Sequence, residues 1–190
     1  MIPLGVLASA RRAPAVIMTD SFNRADGALG VADTGQTWSG HSTVFSVASN
    51  AARNNAATNA ASVINFGSAD QKVTVRLGTG AAAGAVVRSA SNCASMYRVS
   101  YFSGRWYIVK HGPSFPSESF LHDWAQTYVA GDLMTVRAVT GTGGNVDFTI
   151  YRNGVSVKTY TDSVHKLSGT YAGMFGTTTA TLDDFKAETP

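Results

Sequence analysis

Hydrophobic and polar residues alternate with a period of two along most of the chain after residue 44. In segment 72–77, for example, valine and leucine alternate with lysine, threonine and arginine. This period places successive side chains on opposite faces, so it predicts β-strands with one buried and one solvated side. The same kind of pattern, bounded by Gly, Ser and Asn, predicts further strands at 44–48, 62–66, 85–88, 133–139, 146–151, 155–157, 169–175 and 181–187.

Short turn sequences connect some of these segments and predict β-hairpins. Ser103 and Gly104 separate the alternating segments 96–102 and 105–110, and Asn-Gly at 153–154 precedes the strand that begins at residue 155. Asn-Gly favours a two-residue turn because both residues tolerate a positive φ. About ten or eleven short strands with frequent turns predict an all-β sandwich or barrel.

Two segments interrupt the alternation. Segment 49–62 is rich in Ala and Asn, and we interpret it as polar strand edge and loop because it has no helical stripe. Segment 111–132 contains two prolines and several aromatic residues, and we interpret it as one long loop. Long ordered loops in compact domains are often functional, so this second segment is a candidate binding region.

Composition narrows the class of protein. The 190 residues are 44% hydrophobic and only 14% charged, which favours a single β-rich domain over a disordered chain. Cys93 is the only cysteine and excludes an intrachain disulfide. Basic residues are scattered apart from Arg11-Arg12, so the net charge of +3 does not predict a nucleic-acid interface. No apolar run approaches the roughly 20 residues of a transmembrane helix, so no membrane partner is expected.

Several motifs resemble those of a known domain family. The opening DSFNRADGALG at 20–30, followed by Gly35 and Trp38, resembles the start of concanavalin A-like, laminin-G-like jelly-roll domains. An interior hairpin and the last strands of that family are similar to segments 133–137, 151–155, 173–176 and 182–187. The resemblance implies an all-β jelly-roll sandwich of two antiparallel sheets over residues 18–190, with the last strand closing against the first.

Residues 1–17 precede the first motif and are predicted to form an extended N-terminal arm. This arm combines apolar and basic residues that have little to pack against within the domain, so we expect it to dock on another protein. Its assembly residues are Leu4, Val6, Leu7, Arg11 and Arg12.

A leader of this kind before a jelly roll resembles minor tail or surface (decoration) proteins of phages of high-GC actinobacteria. The resemblance implies a non-enzymatic structural protein of the virion, homo-oligomeric and attached to other virion proteins through the arm. Its role would be to stabilise the particle or to contact a host cell-surface glycan. The alternative is a carbohydrate-binding module of a secreted bacterial protein.

Catalysis is not expected, although the superfamily includes glucanases. Retaining glycosidases need two carboxylates about 5–5.5 Å apart, and the glucanases supply them with a Glu-x-Asp-x-x-Glu strand. Here Glu118 and Glu188 are isolated, and the adjacent Asp183 and Asp184 tend to face opposite sides of a strand. A Gly-x-Ser-x-Gly elbow is also missing from the sequence.

A glycan site needs aromatic surfaces and a few polar groups that orient the sugar. The residues that meet this need around the predicted long loop are Trp106, Tyr107, His111, His122, Asp123, Trp124 and Tyr128. Trp124 is the expected exposed stacking surface. The alternative, which applies above all to Trp106 and Trp38, is that tryptophans on strands pack in the core.

No cofactor is expected, with calcium as the alternative because it prefers oxygen ligands. Asp20 would meet Asp183 or Asp184 if the terminal strands pair. The competing interpretation is that these aspartates cap strand ends or that Asp20 pairs with Arg24.

Overall fold

The computed structural model describes residues 16–41, 43–113 and 117–190. These residues form sixteen strands, and their only helical element is one 3-10 turn at Thr142–Gly144. The strands are β1 (Ile17–Asp20), β2 (Gly27–Ala28), β3 (Ser39–Gly40), β4 (Phe45–Ala48), β5 (Ala51–Asn54), β6 (Ala60–Asn65), β7 (Gln71–Leu77), β8 (Ala82–Ser89), β9 (Met96–Phe102), β10 (Arg105–His111), β11 (Glu118–Ala125), β12 (Leu133–Thr140), β13 (Val146–Arg152), β14 (Val155–Asp162), β15 (Tyr171–Gly176) and β16 (Thr181–Glu188).

The strands make two antiparallel sheets that pack as a jelly-roll sandwich, as predicted. The nine-stranded sheet has the order β14-β13-β12-β7-β16-β5-β4-β2, with β1 also paired to β16. The seven-stranded sheet has the order β11-β10-β9-β8-β15-β6-β3. Met18 lies opposite Ala187 in the β1–β16 pair, so the last strand closes against the first. Strands β11 and β14 are free edges of their sheets.

Alternation along the strands builds the core between the two sheets. In β7, residues Val73, Val75 and Leu77 are buried while the residues between them are partly exposed. Aromatic rings join the layers: Tyr97 meets Phe148 edge to face at 5.1 Å between ring centroids. A second apolar cluster lies on the outer face of the seven-stranded sheet and includes Cys93 and Phe175 among its buried members. This outer face is therefore only partly open to solvent.

Both predicted hairpins are confirmed. The turn between β9 and β10 consists of Ser103 and Gly104, with φ of 48° and 78°. Asn153 and Gly154, with φ of 50° and 81°, form the turn between β13 and β14. All four residues adopt the left-handed conformation that Gly and Asn tolerate best.

The prediction of one long loop from 111 to 132 is wrong, because the segment contains the edge strand β11. β11 pairs with β10 along its whole length, and the register shifts at a bulge between Ile108 and Val109. An edge strand with a bulge and exposure on both faces does not show a clean period of two, which hid it in the sequence. Segment 49–62 holds β5 and the start of β6 around a short loop, close to its interpretation as strand edge and loop.

The predicted docking arm lies almost entirely outside the described residues, including Leu4, Val6, Leu7, Arg11 and Arg12. The described chain begins with Val16 and Ile17, whose side chains are both exposed, and β1 starts at Ile17. Among the residues that the structure describes, no helix is long and apolar enough to cross a membrane.

Candidate functional site

A pocket of about 310 Å³ opens on the outer face of the seven-stranded sheet. Antiparallel register aligns the central positions: Tyr107 on β10 lies opposite both Ser100 on β9 and Asp123 on β11. Neighbouring side chains of the same parity point to the same side, so they collect on one surface. The pocket is lined by Asn59, Ala82, Arg98, Ser100, Phe102, Tyr107, Glu118, Phe120 and Thr177.

An ion pair forms the polar part of this pocket. Arg98 Nη2 donates to Glu118 Oε2 at 3.1 Å, and the Arg98 side chain is only 8% exposed. The Arg98 guanidinium also lies over the ring of Phe175, 4.0 Å from its centroid. Asn59 Nδ2 donates to the other oxygen of the same carboxylate at 3.4 Å. Burial lowers the pKa of Arg98 to about 10, so the guanidinium remains charged at neutral pH.

Exposed aromatic rings flank the ion pair. Phe120 is 66% exposed and Phe102 is 50% exposed, values that are high for phenylalanine in a folded domain. Tyr107 meets Phe120 edge to face at 5.8 Å between ring centroids. Binding pockets for small ligands typically combine apolar and aromatic surfaces with a few polar groups that fix the orientation of the ligand.

His111 lies behind the pocket and is completely buried. Its Nε2 is 3.9 Å from Glu118 Oε1. Burial, together with the positive charges of Arg98 and Lys110, lowers the pKa of His111 to about 3. The nearby carboxylate of Glu118 accepts its hydrogen bond from Arg98. Burial therefore decides the charge state of His111, and the imidazole is neutral at pH 7.

This buried histidine makes stability depend on pH. Below pH 6.5, the ordinary pKa, the unfolded chain binds a proton at His111, but the folded protein does not until about pH 3. The unfolded state therefore holds more protons in this window, and stability falls as the pH falls. We expect a loss of about 2–3 kcal/mol between pH 7 and 4.5, measured by urea unfolding, from this residue. The variant His111→Gln should lose that part of the slope; an identical slope in both proteins would contradict the assignment.

The structure brings several of the predicted glycan residues together but turns them in different directions. Tyr107 faces outward and lines the pocket. Trp106 immediately precedes Tyr107 on β10 and therefore faces inward, where it is completely buried. Trp106 and His111 thus present no surface to a ligand, and their assignment to a glycan site is wrong. The alternative, that Trp106 packs in the core, is correct.

The side chain of Trp124 points inward like that of Trp106, and it is half-buried. The two residues are register partners on β10 and β11, and their rings lie 6.0 Å apart between centroids. Trp124 packs against the core and its Nε1 is buried, so it is not the open stacking surface that the sequence led us to expect. His122 stacks on the ring of Tyr160 at 5.5 Å, in the same inward direction.

Asp123 and Tyr128 complete the predicted set and lie outside the pocket lining. Asp123 pairs with Arg105 across the β10–β11 register. Tyr128 packs against Tyr101, with 4.5 Å between ring centroids. Asn59, Arg98, Phe102, Glu118 and Phe120 were not predicted as site residues. The parity of β9 and β10 was a usable signal for Phe102 and Arg98, because Tyr107 fixes which side faces out.

The terminal aspartates are engaged by protein donors. Asp20 is completely buried and accepts hydrogen bonds from Arg24 Nη1 at 2.6 Å, Arg24 Nη2 at 3.0 Å, Trp38 Nε1 at 2.8 Å and the Phe22 amide at 2.9 Å. Asp184 pairs with Arg76 at 2.7 Å. These contacts favour the Arg24 alternative.

In the described ranges no group of three or more His, Cys, Asp or Glu is arranged to hold a metal ion. Burial raises the pKa of Asp183, the other candidate ligand. Calcium binding stays a prediction, and melting curves with and without EDTA test it.

Comparison with known proteins identifies the fold. No family model and no curated protein matches this sequence. Among solved structures, the carbohydrate-binding module CBM66 from Bacillus subtilis has a TM-score of 0.57 at 14% identity, over 79% of this chain and 88% of that chain. The exoplasmic/lumenal domain of VIP36, in a Ca²⁺/Man3GlcNAc-bound form, has a TM-score of 0.54 at 9% identity, over 82% and 83% of the two chains.

An enzyme shares the fold as well. A prokaryotic β-1,3-1,4-glucanase (lichenase) from a mouse hindgut metagenome has a TM-score of 0.52 at 8% identity, over 92% of this chain and 99% of that chain. The TM-scores above 0.5 show that these structures share the jelly-roll fold, and identities this low leave the function to be argued from the site. In the described part of the chain, Glu118 is the only carboxylate that lines the pocket. A two-carboxylate glycosidase mechanism therefore has no second acid there.

Proposed function

We propose that this domain binds carbohydrate, without catalysis, in the pocket between β9, β10 and β11. The observation that carries the proposal is one surface that combines the exposed rings of Phe102 and Phe120 with the ion pair between the buried Arg98 and the half-buried Glu118. Sugar rings have apolar faces that pack on aromatic side chains and hydroxyls that both donate and accept hydrogen bonds. Arg98 supplies donors and Glu118 supplies acceptors, fixed in place by their mutual contact.

The structural neighbours support this class of function. CBM66 is named as a carbohydrate-binding module, and VIP36 is named with a bound glycan. These likenesses favour the alternative in the sequence analysis, a carbohydrate-binding module, over the structural role in a virion. The virion role and the homo-oligomeric assembly remain predictions that rest on the N-terminal arm, outside the described residues.

The proposal is tested by removing one exposed ring. Phe120→Ala should weaken binding to the glycans that the wild type selects on an array by about thirtyfold or more, since an aromatic anchor typically contributes about 2 kcal/mol or more. The melting temperature should change little because the ring is exposed. The matched control is Val155→Ala, which removes a 67% exposed apolar side chain from the edge strand β14. Equal binding by both variants would refute the assignment of the pocket.

A further inference from the structure

A second depression, of about 320 Å³, lies on the outer face of the nine-stranded sheet. It is on the opposite side of the sandwich from the pocket that contains Arg98 and Glu118, called the sugar pocket below. Three neighbouring strands build its floor. Thr135 on β12 lies opposite Thr74 on β7 and Tyr151 on β13, and Arg137 lies opposite Lys72 on β7. The lining residues are Lys72, Thr74, Thr135, Arg137, Tyr151, Gly154 and Pro190.

The charges around this depression are unbalanced. Arg137 and Lys72 are directly opposite each other, and like charges in that position destabilise a sheet. Glu188 is 2.9 Å from Lys72 but also 2.6 Å from Lys186, so one carboxylate serves two ammonium groups. In the ranges that the structure describes, no acidic side chain is within 4.0 Å of Arg137. On the neighbouring strand β13, the carboxylate of Asp147 accepts a hydrogen bond from Thr161 Oγ1.

The sugar pocket has a different charge balance. There Arg98 pairs with Glu118, and Arg105 beside it pairs with Asp123. Each guanidinium on that face has its own carboxylate. Arg137 has no such carboxylate within 4.0 Å in the described part of the chain, and a negative ligand group would restore the balance beside Lys72.

Hydroxyl groups add donors to the floor of the depression. Thr135 is only 7% exposed although it belongs to the outer face, and its Oγ1 is 2.8 Å from Thr74 Oγ1. Tyr151 stands beside Thr135 on the next strand. A planar guanidinium binds carboxylate, phosphate or sulfate oxygens in pairs, and an ammonium group and hydroxyls complete such a site. The volume fits a ligand larger than a bare ion.

We infer that this depression binds an oxyanion group, a carboxylate, phosphate or sulfate, carried by a small molecule or a polymer. Arg137 holds the group in a bidentate contact, Lys72 shares the charge, and Tyr151 contacts the rest of the ligand. The inference does not depend on the sugar pocket, since no lining residue is common to the two.

The test uses the full chain with inorganic phosphate, sulfate and acetate as probes, in sodium chloride adjusted to constant ionic strength. Backbone amide shifts and the melting temperature report binding, because a ligand that binds only the folded state raises the melting temperature. We expect at least one probe to shift the amides of β7, β12 and β13. Arg137→Gln should reduce its affinity by about tenfold.

The control is Arg53→Gln, which removes the same charge from an exposed position on β5 of the same sheet. It should bind the probes as the wild type does. Equal weakening in both variants, or no response to any probe beyond that to chloride, overturns the inference.

A second arm of the experiment compares two acidic polymers, polygalacturonate and heparin, with the neutral polymer dextran. If the wild type retains either acidic polymer but not dextran, and Arg137→Gln retains neither, the oxyanion group is carried by a polymer. A response to the small anions only assigns the site to a free oxyanion.

Discussion

Replacing Trp106 with alanine is expected to lower the free energy of unfolding by about 3–5 kcal/mol, the cost of removing a large aromatic side chain from a packed core. Trp106 is completely buried and packs beside Trp124 between the two sheets. Urea unfolding of the purified variant measures the loss. Any protein that remains folded should still bind sugar, because the indole does not reach the pocket.

The neighbouring residue provides the control for this experiment. Tyr107→Ala removes an aromatic ring of similar size from the same strand, but on the outer face. It should weaken sugar binding and cost much less stability, about 1 kcal/mol or less. The opposite pattern, a stable Trp106→Ala protein that no longer binds sugar, would contradict the inward orientation of Trp106.

Asp20→Ala should destabilise the domain to a similar extent, by about 3–5 kcal/mol. The substitution leaves the indole N–H of Trp38 and the amide of Phe22 without their acceptor, and it removes the carboxylate partner of Arg24. Buried donors that lose their acceptor carry the full cost of desolvation. Trp38 in turn packs edge to face on Phe185 of the last strand, at 5.0 Å between ring centroids. The loss should therefore appear as one cooperative transition at lower denaturant concentration.

Asp33→Ala is the matched control for Asp20. Asp33 belongs to the same group of charges but is much more exposed, and it lies at 4.0 Å from Arg24 Nη1. Ion pairs of this exposed kind contribute about 0–1 kcal/mol. Equal destabilisation by the two variants would show that general charge balance, and not the hydrogen bonds of Asp20, holds this end of the sandwich.

The sequence was sufficient to locate the strands that have one buried and one solvated face. In β7 and β13 burial alternates residue by residue, so a period of two marked both strands and their facing. Strand β11 has exposed and half-buried residues on both sides, so nothing in the sequence distinguished it from a loop. This single omission removed Glu118 and Phe120 from consideration as strand residues.

The candidate site was harder to predict because it depends on strand order. Asn59 precedes β6 and Glu118 begins β11, yet they share a hydrogen bond. Four strands separate β11 from β6 in the seven-stranded sheet, so the loop before β6 has to bring Asn59 to Glu118. Local patterns do not encode such a path. The direction in which each aromatic side chain of β10 faces was also not predictable from the sequence. Trp106 is completely buried while the adjacent Tyr107 is partly exposed, and only the facing of β10 decides which one belongs to a site.

The most direct measurement for the central claim is an amide shift map of the domain titrated with an oligosaccharide that it selects on a glycan array. Binding in the pocket predicts the largest shifts at Arg98, Ser100, Tyr107 and Phe120, with the outer face of the nine-stranded sheet unchanged. Shifts confined to another surface, or no glycan bound on a broad array, would contradict a carbohydrate site between β9, β10 and β11.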